Sequence, residues 1–200
     1  MVLKSYAKIN LSLNLKKKLK TGLHDLKSVY CLIDLNDKII INKLKNKNKD
    51  QIFFKGPYSK FVNRTNNSVK KVLHILRKKK LISGFYSVKV YKNIPVFAGL
   101  GGGTSNAATI INNLVKKKLT NNNLNKITKF IGSDLILFSH NQGYLKSIEI
   151  TKKFDKKYKL YFLLVYPNIR CSTKEVFSRV KKFSRSKNIS QIDLTSKKKF

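Results

Sequence analysis

Four glycines, Gly99, Gly101, Gly102 and Gly103, fall within five residues of the run Ile94-Pro95-Val96-Phe97-Ala98-Gly99-Leu100-Gly101-Gly102-Gly103-Thr104-Ser105-Asn106-Ala107-Ala108. Glycine lets a backbone turn through positive φ and approach a ligand closely. The residues that follow have helical spacing, with Ile110, Ile111 and Leu114 as an apolar stripe. A turn of this kind at a helix start offers free N–H groups backed by the positive end of the helix dipole. That is a cradle for phosphate. Thr104 and Ser105 add hydroxyls suited to a phosphate oxygen or a hydrated magnesium ion. The run is not a Walker A loop, because no Lys-Ser or Lys-Thr follows the glycines. It is not a dinucleotide fingerprint either, because no acid stands about 20 residues further on. A flexible turn between strand and helix is the plain alternative.

The elements around this loop are legible from patterning. Residues 2–15, 28–35, 38–44, 51–55 and 84–91 read as strands, and residues 67–79 as a helix with Val69, Val72, Leu73 and Leu76 on one face. After the loop come a helix over 107–115 and a second helix around Leu124, Ile127, Phe130 and Ile131. Strands are expected at 143–150 and 160–166. Ser172-Thr173-Lys174-Glu175 reads as a capping box opening a helix that runs to Val180, and the tail beyond Phe183 as a frayed polar end. Strands and helices mix without strict alternation, which favours an α+β fold over a doubly wound sheet.

Lys and Arg total 44 against 9 Asp and Glu, a net charge of +35. Such a balance first suggests nucleic acid. The lysines, however, run through the whole chain, with triplets at 16–18, 78–80, 116–118 and 197–199. Asn, Ile and Phe are abundant as well and Trp is absent, so the bias belongs to the entire chain. No aromatic motif interleaves with the basic residues, and nucleic acid is disfavoured as the native partner. Cys31 and Cys171 are too few for a disulfide framework, and His24, His74 and His140 are too scattered for structural zinc. No apolar stretch reaches the roughly 20 residues of a membrane-spanning helix. The opening Met1-Val2-Leu3-Lys4-Ser5-Tyr6 lacks the pattern of a secretory signal, so a cytoplasmic protein without a membrane partner is expected.

The glycine run resembles the second motif of the GHMP kinase superfamily. Ser5-Tyr6-Ala7-Lys8-Ile9-Asn10-Leu11 resembles that family's N-terminal P-A-K-I-N-L strand. Gly22-Leu23-His24-Asp25-Leu26, with Val29-Tyr30-Cys31-Leu32-Ile33-Asp34-Leu35, is similar to the branch that acts on a cytidine diphosphate-linked alcohol. Gly132-Ser133-Asp134-Leu135-Ile136-Leu137-Phe138 resembles its G-A-D-V-P-F-F segment, and residues 167–177 its P-G-x-x-x-S-T-x-x-V-F segment. The five segments occur in the family's order.

The resemblance implies a GHMP kinase N-terminal ATP-binding domain over residues 1–155, similar to a domain of a ribosomal protein. It implies a C-terminal α/β domain reduced to a remnant over residues 156–200, since no glycine follows Gly143 to form the family's third glycine motif. The implied activity is transfer of the γ-phosphoryl of ATP, with Mg2+, to the 2-hydroxyl of a cytidine diphosphate-linked methylerythritol in isoprenoid precursor synthesis. Another small alcohol acceptor, an inactive kinase relic and a basic nucleic-acid-binding protein are the alternatives. By the resemblance, Asp134 is the base and Lys8 its neighbour, holding it ionised and neutralising the phosphoryl group. Pro95, Val96, Phe97, Ala98, Gly99, Leu100, Gly101, Gly102, Gly103, Thr104 and Ser105 would hold the triphosphate. Asn10 would orient the substrate, His24 would hydrogen-bond the cytosine and Tyr30 would pack near it, while Leu23 stands where the branch has a stacking Tyr. No side-chain metal cluster is implied, and a homodimer or a completing partner chain could supply the missing motif.

Overall fold

One long strand organises the sheet. β2 (His24–Leu44) runs for 21 residues. β1 (Val2–Lys18) pairs antiparallel along one edge, from Val2 opposite Ile40 to Lys18 opposite His24. The other edge carries two strands in succession. β4 (Phe85–Tyr91) pairs with Lys38 to Leu44, and β5 (Gln142–Ser147) with Ser28 to Cys31. β3 (Gln51–Lys55) lies parallel to β4, and β6 (Ile150–Lys153) is antiparallel to β5. The computed structural model describes residues 2–19, 24–115, 119, 121–147, 150–167, 169 and 173–183. Gly22, Leu23, Ser172 of the expected capping box and the tail beyond Phe183 lie outside the described residues.

Patterning splits β2 into two strands around the polar pair Asn36 and Asp37, but the strand runs through both. Asp37 is buried, and its carboxylate accepts the backbone N–H groups of Asn93 at 2.8 Å and Ile94 at 2.9 Å. A polar residue here anchors a neighbouring segment instead of making a turn. The β1–β2 register shifts between Tyr6 and Ala7, between Asn10 and Ser12, and between Leu15 and Lys17. Such irregularities re-aim side chains, and the first two bracket Lys8 and Asn10.

α1 (Ser68–Lys78), α2 (Gly102–Leu114) and α3 (Asn121–Ile131) pack on the sheet around one core. α1 starts at Asn67, whose side chain accepts the N–H of Lys70 at 2.9 Å. Its buried stripe is Val69, Val72, Leu73 and Leu76, as the spacing predicts, and each contributes about 1.5–3 kcal/mol by leaving water. They meet Ile39, Val88 and Val90 of the sheet and Ala107 and Ile110 of α2. α1 ends where Lys80 turns to φ 56° and the N–H of Leu81 returns to the carbonyl of Leu76. A 3-10 helix, Ser133–Ser139, follows α3, and α4 (Thr173–Ser178) is the last described helix.

Two expectations change. The strand expected at 143–150 is a hairpin of β5 and β6. Residues 160–166 form no strand and pair with none of the described strands, and Tyr161, Leu163 and Val165 are exposed. A run apolar on both faces becomes a central strand only where neighbours flank both its edges.

Candidate active site

The glycine run folds as its composition predicts, and the helix begins earlier than expected, inside the glycines. Gly101 sits at φ 69° as the N-terminal cap of α2, and Gly102, Gly103, Thr104 and Ser105 form the first turn. Gly99 also has positive φ, at 74°, as does Phe97 at 63°. Small residues leave the first N–H groups of α2 open to a cleft of about 370 Å3 lined by residues 95–104. Asn67 and Ser68 at the start of α1 also line it.

β1 is stitched to this loop. The backbone N–H of Lys8 donates to the carbonyl of Leu100 at 3.0 Å. A Cβ on Gly101 would come within 3.2 Å of Lys8 Cγ and 3.0 Å of Phe138 Cζ, so only glycine allows this approach. Lys8 is 4% exposed, although composition alone would make it one more solvated lysine. Its Nζ lies 3.3 Å from Asp134 Oδ2 and donates to Asn10 Oδ1 at 3.2 Å. Asn10 Oδ1 also accepts from Ser28 Oγ at 3.2 Å. Asp134 lies in the first turn of the 3-10 helix capped by Gly132, whose φ is 147°. A Cβ on Gly132 would lie 3.8 Å from Thr104 Oγ1, so the Asp134 turn and the glycine turn face each other closely.

A second cleft of about 350 Å3 lies on the other side of Asp134. Its walls are mainly apolar, from Leu13, Leu15, Leu26, Leu137, Val176 and Phe177, with Lys8, Asn10, Ser28 and Asp134 as its polar groups. Ala98, Gly99 and Asp134 line both clefts. The Lys8–Asp134 pair thus stands at the junction between a phosphate cradle and a pocket that an alcohol could enter. Among the described residues, no group of three or more His, Cys, Asp or Glu could hold a metal ion.

The structure places two of the expected site residues in the interior. Tyr30 is fully buried among Ile136, Leu137 and Leu145 and lines neither cleft. It shares a strand face with Leu26 and Ser28, but the 3-10 helix covers that face at its position through Ile136 and Leu137. Burial raises its phenol to about 12, eased slightly by Thr151. Ser105 is 2% exposed, and its Oγ accepts from Ser5 Oγ at 2.8 Å, so its hydroxyl points into the interior rather than to a phosphate. His24 stacks on Phe177, with ring centroids 5.4 Å apart, and on Phe183 at 6.0 Å. It therefore reaches the second cleft through Phe177. Cys31, next to Tyr30, is buried, and its thiol is pushed up by desolvation.

Sequence reasoning missed a buried polar cluster behind the glycine turn. Lys92 Nζ donates to Asp37 Oδ2 and, at 3.2 Å, to Asn106 Oδ1. Asn106 Nδ2 donates to Asp37 Oδ2 at 2.9 Å and to Ser5 Oγ at 2.9 Å. Burial lowers the Lys92 ammonium from its ordinary range, while Asp37 works in the opposite direction. The only hint in the sequence is that Lys92 follows the alternating strand of residues 85–91.

Residues 67–142 match the family model described as GHMP kinases N terminal domain. The chain is 42% identical over 188 residues to 4-diphosphocytidyl-2-C-methyl-D-erythritol kinase of Pelagibacter ubique, covering 92% of this chain and 66% of that one. It is 30% identical over 199 residues to the kinase of the same name from Francisella philomiragia, covering 96% of this chain and 70% of that one. A crystal structure of 4-(cytidine 5'-diphospho)-2C-methyl-D-erythritol kinase superposes with a TM-score of 0.50 at 25% identity, over 70% of this chain and 48% of that one. The chain spans about half to two thirds of the length of the curated relatives it matches. Fold, ordered motifs and identity along nearly its whole length agree, and the chain belongs to the 4-diphosphocytidyl-2-C-methyl-D-erythritol kinases of the GHMP kinase family.

Proposed function

We propose that the protein transfers the γ-phosphoryl group of ATP to the 2-hydroxyl of 4-diphosphocytidyl-2-C-methyl-D-erythritol. The observation that carries this reading is the Lys8–Asp134 pair, 3.3 Å apart, at the junction of the two clefts. Phosphoryl transfer needs alignment and charge neutralisation more than covalent chemistry. The N–H groups of the α2 start hold the triphosphate in the first cleft. Asp134 accepts the proton of the acceptor hydroxyl at Oδ2, a contribution of typically 10²–10⁴-fold. Lys8 keeps that carboxylate ionised and offsets the charge on the transferring group. Asn10, bonded to both Lys8 and Ser28, orients the acceptor. Thr104 lines the same cleft with a hard oxygen donor and would hold Mg2+ beside the triphosphate. Bound there, the ion supplies charge neutralisation, and Mg2+ commonly needs only one or two protein oxygens beside phosphate and water.

The cytidine end of the acceptor occupies the second cleft, with His24 and Phe177 at its far side. Residues 1–155 supply the ATP-binding unit. Residues 156–200 belong to the second unit, and Val176, Phe177 and Val180 are its contribution to the acceptor wall. Among the described residues no helix is long and apolar enough to cross a membrane, which fits a reaction carried out in the cytoplasm.

Phosphorus NMR with Mg-ATP and the diphosphocytidyl substrate tests the proposal. A new phosphomonoester signal is expected from the wild type, with turnover reduced about 10²–10⁴-fold in Asp134→Asn while Mg-ATP still binds. Equal turnover in the two proteins would remove Asp134 from the mechanism. ATP binding without product would point to a different alcohol.

A further inference from the structure

The buried cluster behind the glycine turn joins four parts of the chain. Asp37 comes from the middle of β2, Lys92 from just beyond β4, Asn106 and Ser105 from the first turns of α2, and Ser5 from β1. All five are at most 4% exposed. The Asp37 carboxylate receives four donors: two backbone N–H groups, the ammonium and an amide. Those backbone groups belong to Asn93 and Ile94, where the chain leaves β4 for the glycine run. The donors come from two other elements and approach from different directions, so few arrangements of the cluster satisfy them together.

The position of the cluster matters more than its strength. A Cβ on Gly102 would lie 3.3 Å from Lys92 Nζ and 3.0 Å from Ile94 Cγ2. The first turn of α2 therefore rests directly on the ammonium, and Lys92 is part of the floor of the first cleft. Ser5 sits three residues before Lys8 on β1 and opposite Asp37 in the register. The cluster thus ties the strand that carries Lys8 to the turn whose N–H groups face the triphosphate. Burying an ion pair returns little net stability, because desolvation of both charges offsets their attraction. What it retains is geometry.

We infer that Lys92, paired with Asp37 and braced by Asn106 and Ser5, is a positioning residue for the triphosphate, acting through the first turn of α2 and not by touching substrate. This rests on the ATP-binding reading above. The informative variant is the double substitution Asp37→Asn with Lys92→Met, which removes both charges together and leaves no unpaired buried ion. Kd is measured calorimetrically for Mg-ATP and for magnesium tripolyphosphate, with KM and kcat alongside. Both Kd values and KM for ATP are expected to rise about ten- to a hundredfold, the scale of a sub-ångström misplacement, while kcat at saturation changes far less. Ser5→Ala, a much smaller deletion, is expected to weaken both ligands about three- to tenfold and covers the case in which the double variant does not fold. A lowered melting temperature with unchanged Kd for both ligands would show a purely structural cluster and overturn the inference. Loss of ATP binding without loss of tripolyphosphate binding would also overturn it, since the effect would then lie at the adenosine end. A wild type that binds neither ligand would instead overturn the ATP-binding reading itself.

Discussion

Replacing Gly101 by alanine should damage both the fold and the chemistry, in amounts that the neighbouring Gly99 lets one separate. The two glycines have nearly the same backbone, φ 69° and 74°. An L-residue in this left-handed region costs about 1–2 kcal/mol. A Cβ at Gly99 meets nothing within 4 Å, so Gly99→Ala should lose that amount alone. A Cβ at Gly101 would stand 3.0 Å from Phe138 Cζ and 3.2 Å from Lys8 Cγ, inside ordinary carbon contact. Overpacking of this kind adds about 1–3 kcal/mol. At about 2–4 °C per kcal/mol for a chain of this size, Gly99→Ala should melt roughly 2–8 °C below the wild type. Gly101→Ala should melt further below it, by a few degrees to about 12 °C beyond Gly99→Ala. Relief of the second contact moves Lys8 by about half an ångström, away from its 3.3 Å approach to Asp134. If a 1 Å misplacement costs about a hundredfold, kcat should fall about tenfold in Gly101→Ala. Thermal unfolding by circular dichroism and turnover by phosphorus NMR, run well below the lower melting temperature, read both quantities. Equal melting temperatures for the two variants, with wild-type kcat in Gly101→Ala, would refute the close contact between the glycine turn and Lys8.

Tyr30→Phe should be neutral or slightly stabilising at pH 7, because the hydroxyl is buried and makes no hydrogen bond of ordinary geometry. The folded phenol sits at about 12 against the ordinary 10, so the wild type holds a proton that the unfolded chain releases between those values. Its stability should therefore be complete below about pH 10 and fall as pH climbs through 12, by at most about 2–3 kcal/mol. Urea unfolding of both proteins across that range should show a shallower fall in the phenylalanine variant. Cys31 is buried with its thiol raised, so alkylation of the native protein there should be slow and should accelerate on adding urea, as peptide mapping would show. Asn67→Ala removes the α1 cap and two hydrogen bonds to the carbonyls of Asn63 and Arg64, a loss of about 1–2 kcal/mol in calorimetry. Because Asn67 also walls the first cleft, its Mg-ATP Kd should rise.

What the sequence makes legible is local. The glycine turn, the α1 stripe and the alternation of β4 depend on neighbours a few residues away, and all three are present in the fold. What it hides depends on which face of a strand is covered, and by what. Tyr30 and Ser105 are residues of the right type near the right loop, but each points into the interior because another element lies over it. Asp37 explains two misses at once. A polar residue inside an apolar run reads as a break, yet it is the acceptor that ties the end of β4 and α2 to β2, so the strand continues and the cluster forms. Lys92 is hidden for a different reason: among 44 basic residues, nothing in its immediate sequence marks it as buried.

In a chain so rich in cations, an ion pair by itself says little about a carboxylate. The neutral donors aimed at each acid discriminate better. Asp37 takes two backbone N–H groups and an amide besides its lysine, so its lone pairs are committed and it is a fixed anchor. Asp50 takes the N–H of Tyr86 and both oxygens bind Arg77, which makes it a brace between α1 and the sheet. Asp134 differs. Its side chain is 37% exposed and its described partner is Lys8, with no backbone N–H of the described residues directed at it. A carboxylate held by one cation and otherwise open to a cleft keeps acceptor capacity in reserve, which a base must have before its substrate arrives. By that criterion Asp134 is the acid among these three that can exchange a proton without dismantling the fold. Asp134→Asn should accordingly cost activity with little change in melting temperature, whereas Asp37→Asn and Asp50→Asn alone should both lower it. A melting temperature for Asp134→Asn as depressed as theirs would mean that its carboxylate is structural too.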